Sequence, residues 1–149
     1  MMIQLTEKAI DVSAVIASVE SPAAGAVVLF LGNAREMTDQ QPVESLEYEA
    51  YPEMAERKLA ELENQSRRLW TLVDCAVVHR LGPVPIGQTC VAIAVSSVHR
   101  KEAFEAGRWL IDQIKEVVPI WKKEHLADGS GRWGKSERKA ESGKRKAEK

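Results

Sequence analysis

The sequence predicts an α+β domain, and three observations carry that reading. Residues 53–70 and 100–118 repeat apolar side chains at helical spacing. Residues 25–31, 72–81 and 89–98 are short apolar, β-branched runs, and residues 43–51 alternate apolar and acidic side chains. With a first helix at 6–19, the order is helix, strand, strand, helix, strand, strand, helix, which is not the regular alternation of a doubly wound sheet.

In residues 6–19, Ile10, Val12, Val15, Ile16 and Val19 fall near helical spacing, with Asp11 and Ser13 as candidate caps. Ser21-Pro22 breaks the chain before the buried strand at 25–31, which ends at Gly32. Residues 33–42 are polar, include Asp39 and Pro42, and are expected to form a loop. In the strand at 43–51, Val43, Leu46, Tyr48 and Ala50 are separated by glutamates, as on a sheet with one wet face. Pro52 ends it and suits the first position of the next helix. There Ala55, Leu59, Leu62, Ser66 and Leu69 trace one face. Residues 82–87, Gly-Pro-Val-Pro-Ile-Gly, supply turn residues between the next two strands. The last helix is expected to bury Phe104, Gly107, Leu110, Ile111, Ile114, Val117 and Val118, and Pro119 ends or kinks it.

With 149 residues the chain suits one domain, residues 1–134, followed by a basic tail at 135–149. The tail carries a charge of +4 and no apolar residue larger than alanine, so it is read as disordered and solvated, with the body at −5. The acidic body argues against a nucleic-acid protein. No apolar run approaches the ~20 residues that span a bilayer. The first eleven residues carry Glu7, Lys8 and Asp11 and do not form a signal peptide. Two cysteines and no export signal point to a reduced, cytoplasmic protein without a membrane role.

The sequence has no Gly-rich phosphate loop and no GxSxG elbow, and His79, His99 and His125 lack metal-ligand spacing, so no metal is expected. Cys75 and Cys90 lie fifteen apart in expected strands and read as small buried hydrophobes, and His79 reads as a satisfied sheet histidine. Four cationic positions stand out. Ser96-Ser97-Val98-His99-Arg100 joins a strand to a helix, where free N–H groups suit an anion; Ser96 or Ser97 as a simple cap is the plainer reading. Lys115 sits near a helix end, where it offsets the helix dipole or faces a ligand. Trp121-Lys122-Lys123-Glu124 after Pro119 reads as a shaped loop presenting cations or equally as a surface anchor. Arg35 follows the end of a buried strand, where functional groups often sit but a lone loop arginine is usually surface.

Taken in order, residues 25–35 (GAVVLFLGNAR), 46–51 (LEYEAY), 79–82 (HRLG), 95–100 (VSSVHR) and 119–124 (PIWKKE) resemble the large, catalytic subunit of molybdopterin synthase, across residues 5–134. The resemblance implies an α/β hammerhead-type domain with an additional antiparallel β-sheet. It implies a sulfurtransferase of molybdenum-cofactor biosynthesis that converts cyclic pyranopterin monophosphate into the molybdopterin dithiolene. Sulfur would arrive as a thiocarboxylate on the C-terminal glycine of a ubiquitin-like small subunit, with no cofactor in the chain itself. The implied assembly is a heterotetramer around a central homodimer of large subunits. Carried over by motif, Lys115 and Lys122 become the catalytic residues, with Arg35, His99 and Arg100 completing the phosphate and pterin pocket. Asn33 stands where many relatives have a second basic residue.

Overall fold

The computed structural model describes residues 1–134; the expected basic tail lies outside the described residues. In chain order the elements are β1 (Met2–Thr6), α1 (Val12–Val19), β2 (Ala26–Asn33), β3 (Met37–Thr38), β4 (Gln41–Ala50) and α2 (Pro52–Leu69). Then follow β5 (Asp74–Arg80), β6 (Gly82–Pro85), β7 (Thr89–Ser97), α3 (Arg100–Val117), β8 (Ile120–Leu126) and β9 (Gly131–Gly134). The α+β expectation holds, with two sheets. One runs β1-β5-β7-β2, parallel only between β1 and β5; the other runs β3-β4-β8-β9, with β6 also paired to β4.

Alternation along β5 and β7 explains how the first sheet is covered on both sides. Cys75, Val77, Val91, Ile93 and Val95 point to the face packed by α2 and α3, joining Leu59, Leu110 and Ile114 in the main core. The opposite face presents Ala76, Val78, Ala92 and Ala94 to Val15 and Val19 of the short α1. Alanine at three of these four positions lets an eight-residue helix lie close to the strands. Asp11 caps that helix, its carboxylate accepting from the Ala14 N–H at 3.1 Å. Pro52 occupies the first turn of α2, as expected.

Several expectations are corrected. The first helix begins at Val12, and the residues before it supply β1, which joins the sheet edge in parallel with β5. The polar segment 33–42 is not all loop. Met37–Thr38 pairs with Gln41 and Pro42 through a tight turn in which Asp39 and Gln40 both take positive φ, 49° and 64°. Part of the turn-rich 82–87 segment is β6, and the expected loop around Lys122 is β8. Leu69 is exposed at the end of α2, and on α3 Phe104 and Val117 are exposed while Ala103 and Ala106 are buried on the inner face. Among the described residues, no helix is long and apolar enough to cross a membrane.

Candidate functional site

A cavity of about 340 Å³ opens where the C-terminal end of α3 meets the ends of both sheets. Its size is typical of a small-ligand pocket. Three cationic side chains from separate elements line it. Arg35 lies just past β2, Lys115 on the last turn of α3, and Lys122 on β8.

Each is placed by local packing. Gly32 lets β2 run close to β7, because a Cβ there would stand 2.8 Å from Val91 Cγ1. The register then shifts between Gly32 and Asn33. Beyond it the chain is pinned by two backbone bonds, Ala34 N–H to the Gln88 carbonyl (2.9 Å) and Gly87 N–H to the Ala34 carbonyl (2.8 Å), which sets Arg35 at the cavity rim. Asn33 is tied down on the same side, its side-chain oxygen accepting from the Thr89 hydroxyl at 2.9 Å. Lys115 follows Ile114, whose burial, with Val118, anchors the end of α3. Lys122 pairs with Tyr48 across β4 and β8, so the two side chains share the cavity face.

Glu124, two residues along β8 on that face, is 5% exposed and lies 4.0 Å from the Lys122 ammonium. Burial pushes its carboxyl up, but hydrogen bonds from Thr38 and Arg132, with the Lys122 and Arg132 charges, outweigh that and hold it below the usual glutamate range. Arg132 reaches one carboxylate oxygen through Nε at 3.1 Å and Nη2 at 2.8 Å. The buried carboxylate therefore stays charged and fixes one side of Lys122.

The neutral wall of the cavity holds Tyr48, Cys90 and His79. Burial raises the Cys90 thiol despite a hydrogen bond to Tyr48 and the charges of Lys122, Lys115 and Arg80. Cys75 is pushed up to about 12, chiefly by burial. Both thiols are protonated near neutral pH and poor nucleophiles, which fits their reading as small hydrophobes. His79 is both satisfied and cavity-lining: Nδ1 donates to the Arg80 carbonyl at 2.9 Å. Read as a sheet histidine alone, it was missed as a site residue. The available signal was its place at the open end of an otherwise apolar strand face.

His99 and Arg100 are not brought to this cavity. Both are exposed at the start of α3, and Arg100 is fifteen residues and about 22 Å of helix from Lys115. Neither serine before them caps α3: Ser96 bonds the Asp74 carbonyl, Ser97 bonds the His99 carbonyl, and His99 is the cap residue without a side-chain bond. Between the two ends, Val28, Phe30, Phe104 and Gly107 line an apolar groove beside β2, one of the two edge strands of the first sheet.

A family model described as "MoaE protein" matches residues 5–117. A Thermoplasma volcanium protein named molybdopterin synthase catalytic subunit is 46% identical over 131 residues, covering 88% of this chain and 96% of that protein. A Staphylococcus carnosus protein of the same name is 51% identical over 110 residues, 74% of this chain and 73% of that one. The crystal structure of molybdopterin synthase from Staphylococcus aureus matches with a TM-score of 0.83 at 41% identity, over 87% of this chain and 94% of the other.

Proposed function

The chain belongs to the MoaE protein family, and from that membership we propose that it works as the catalytic subunit of a molybdopterin synthase. With a ubiquitin-like small subunit it converts cyclic pyranopterin monophosphate into molybdopterin, installing two sulfurs as a dithiolene. The observation that carries this reading is the convergence of Arg35, Lys115 and Lys122 on one cavity from three separate elements.

The sulfur nucleophile is the thiocarboxylate on the small subunit's C-terminal glycine. The two protonated, buried thiols of this chain are unsuited to that task. The chain's own contribution is electrostatic and positional. Opening the cyclic phosphate increases negative charge, which fixed cations in a half-buried cavity stabilise more than water would. Arg35 offers a planar fork to phosphate oxygens, whereas Lys115 and Lys122 are compact charges on flexible stems. Lys115 assists proton transfer, or its deprotonated amine attacks the glycine acyl carbon once the sulfur has bonded to the pterin. That attack forms an amide as the acyl carbon–sulfur bond breaks, the sulfur staying on the pterin and the amine proton passing to it. Lys122, held by Glu124, supports Lys115 electrostatically. His99 and Arg100 lie a helix length from Lys115, so they serve a phosphate pocket only when a second copy supplies them. The central homodimer provides that route.

Single-turnover molybdopterin formation from cyclic pyranopterin monophosphate and thiocarboxylated small subunit tests the reading. Wild type is expected to form product, and folded, partner-binding Lys115→Ala to form almost none. Near-normal turnover by that variant overturns the role given to Lys115. Binding without product by wild type overturns the enzymatic reading.

A further inference from the structure

We propose that His79 is a substrate-binding residue whose Nε2 lone pair accepts a hydrogen bond from an N–H group on the heterocyclic part of the ligand, while Arg35, Lys115 and Lys122 hold its anionic part. The inference rests on the functional reading above and deepens it by assigning the neutral wall of the same cavity.

The inward face of β5 reads Cys75, Val77, His79. The first two are core residues, and the third, where the strand ends, reaches the cavity wall. A carbonyl oxygen only accepts, so the 2.9 Å contact between Nδ1 and the Arg80 carbonyl puts the ring proton on Nδ1. A neutral imidazole with that tautomer carries its lone pair on Nε2. The Tyr48 ring stands edge-on at 5.0 Å between centroids and limits rotation of the imidazole.

The ring is neutral for reasons on every side. Burial pushes His79 down to about 4; the Arg80 carbonyl bond opposes this, and the Lys115 charge reinforces it. A base that weak stays unprotonated near neutral pH, so the ring rests neutral. What remains is a permanent acceptor. Lysine and arginine side chains only donate, so the cationic side of the cavity has nothing to offer an N–H group. A ligand that satisfies both sides is a phosphorylated nitrogen heterocycle with ring or amino N–H donors, rather than a simple phosphate ester.

The test compares full-length wild type, His79→Phe and His79→Gln by calorimetry, with cyclic pyranopterin monophosphate and with inorganic phosphate as ligands. Phenylalanine keeps the ring and loses the acceptor; glutamine carries an oxygen close to the Nε2 position. His79→Phe is expected to bind the pterin roughly tenfold more weakly, with phosphate affinity unchanged and partial recovery in His79→Gln. In ¹⁵N-histidine-labelled wild type, the His79 Nε2 resonance is expected to shift with the pterin and not with phosphate, a readout that needs no variant to fold. Equal pterin binding by wild type and His79→Phe, or an unmoved Nε2 resonance in the saturated complex, overturns the assignment of His79. A wild type that does not bind the pterin overturns the functional reading itself, and this inference falls with it.

Discussion

The buried neutral imidazole of His79 makes acid stability a direct probe of the cavity. The native ring titrates at about 4, whereas an unfolded histidine titrates near 6.5. Between those two values the unfolded chain binds a proton that the folded chain does not, so stability falls as pH drops through this window and levels off below it. At about 1.4 kcal/mol per pH unit for one proton, the full loss is roughly 3 kcal/mol. Most of it comes before the carboxylates interfere. Glu124 and Asp74 have depressed native values, so their contributions persist above the unfolded carboxylate range near 4 and fade only on further acidification. The perturbation is therefore a pH series from 7 to 4.5, run in parallel on wild type and His79→Phe. Urea unfolding at fixed protein concentration gives the free energy at each pH. Wild type is expected to lose about 2–3 kcal/mol more than the variant across the series, whatever the absolute stability of either. Parallel losses in both proteins refute the claim that the folded imidazole stays neutral.

Other outcomes follow from neighbouring contacts. Glu124→Gln removes the charge that Arg132 and Lys122 face; a loss of about 1–3 kcal/mol is expected in thermal or urea unfolding, with slower single-turnover product formation, and unchanged values in both assays count against the network. Gly25→Ala places a Cβ against the Val98 carbonyl oxygen, where backbone has little room to yield. A destabilisation of about 1–3 kcal/mol is expected, read as a lower unfolding midpoint. Phe104, 62% exposed on the groove beside β2, is expected to lie in the central homodimer. Phe104→Asp then gives a folded chain whose light-scattering mass is that of a monomer and whose turnover is lost, and a dimeric, active variant refutes that placement.

How far the sequence disclosed this arrangement depended on which force shaped each element. Helices α2 and α3 were legible because burial of one stripe repeats every turn, though the stripe's edges were misjudged at Leu69 and Phe104. β5 and β7 were legible because both of their faces are covered, leaving continuous apolar runs. β8 was not. Its inward positions are Ile120, Lys122, Glu124 and Leu126, and the central two carry charge because they face the cavity and its supporting network rather than the apolar core. Charged residues turned toward the cavity thus erased the alternation that would have revealed the strand that presents them. His79 shows the reverse effect: inside a strand the sequence marks it only as a sheet residue, and the ending of that strand at a cavity is a tertiary feature that the sequence does not carry.

The register of β4 against β8 is what selects one lysine of the adjacent pair. Tyr48 stands opposite Lys122, and Leu46 opposite Glu124, so Lys122 shares a face with the cavity and with its carboxylate partner. Lys123, paired with Glu47 and Trp133, faces the other way, where its ammonium lies 5.5 Å from the Trp133 ring. On that outer face Glu47 also meets His125 at 3.2 Å. Because strand side chains alternate, a slip of one residue would exchange the two lysines, move Glu124 to solvent and bury His125. The irregularity between Val43 and Ser45 confines the extra residue to the far end of the pair and leaves the stretch from Leu46 to Ala50 in register with Glu124 to Ile120. Arg132 and Thr38, both bonded to Glu124 from the flanking strands, oppose such a slip, because it would strip the buried carboxylate of its donors. The second sheet therefore does more than extend the fold: its hydrogen-bond register decides which cation faces the cavity.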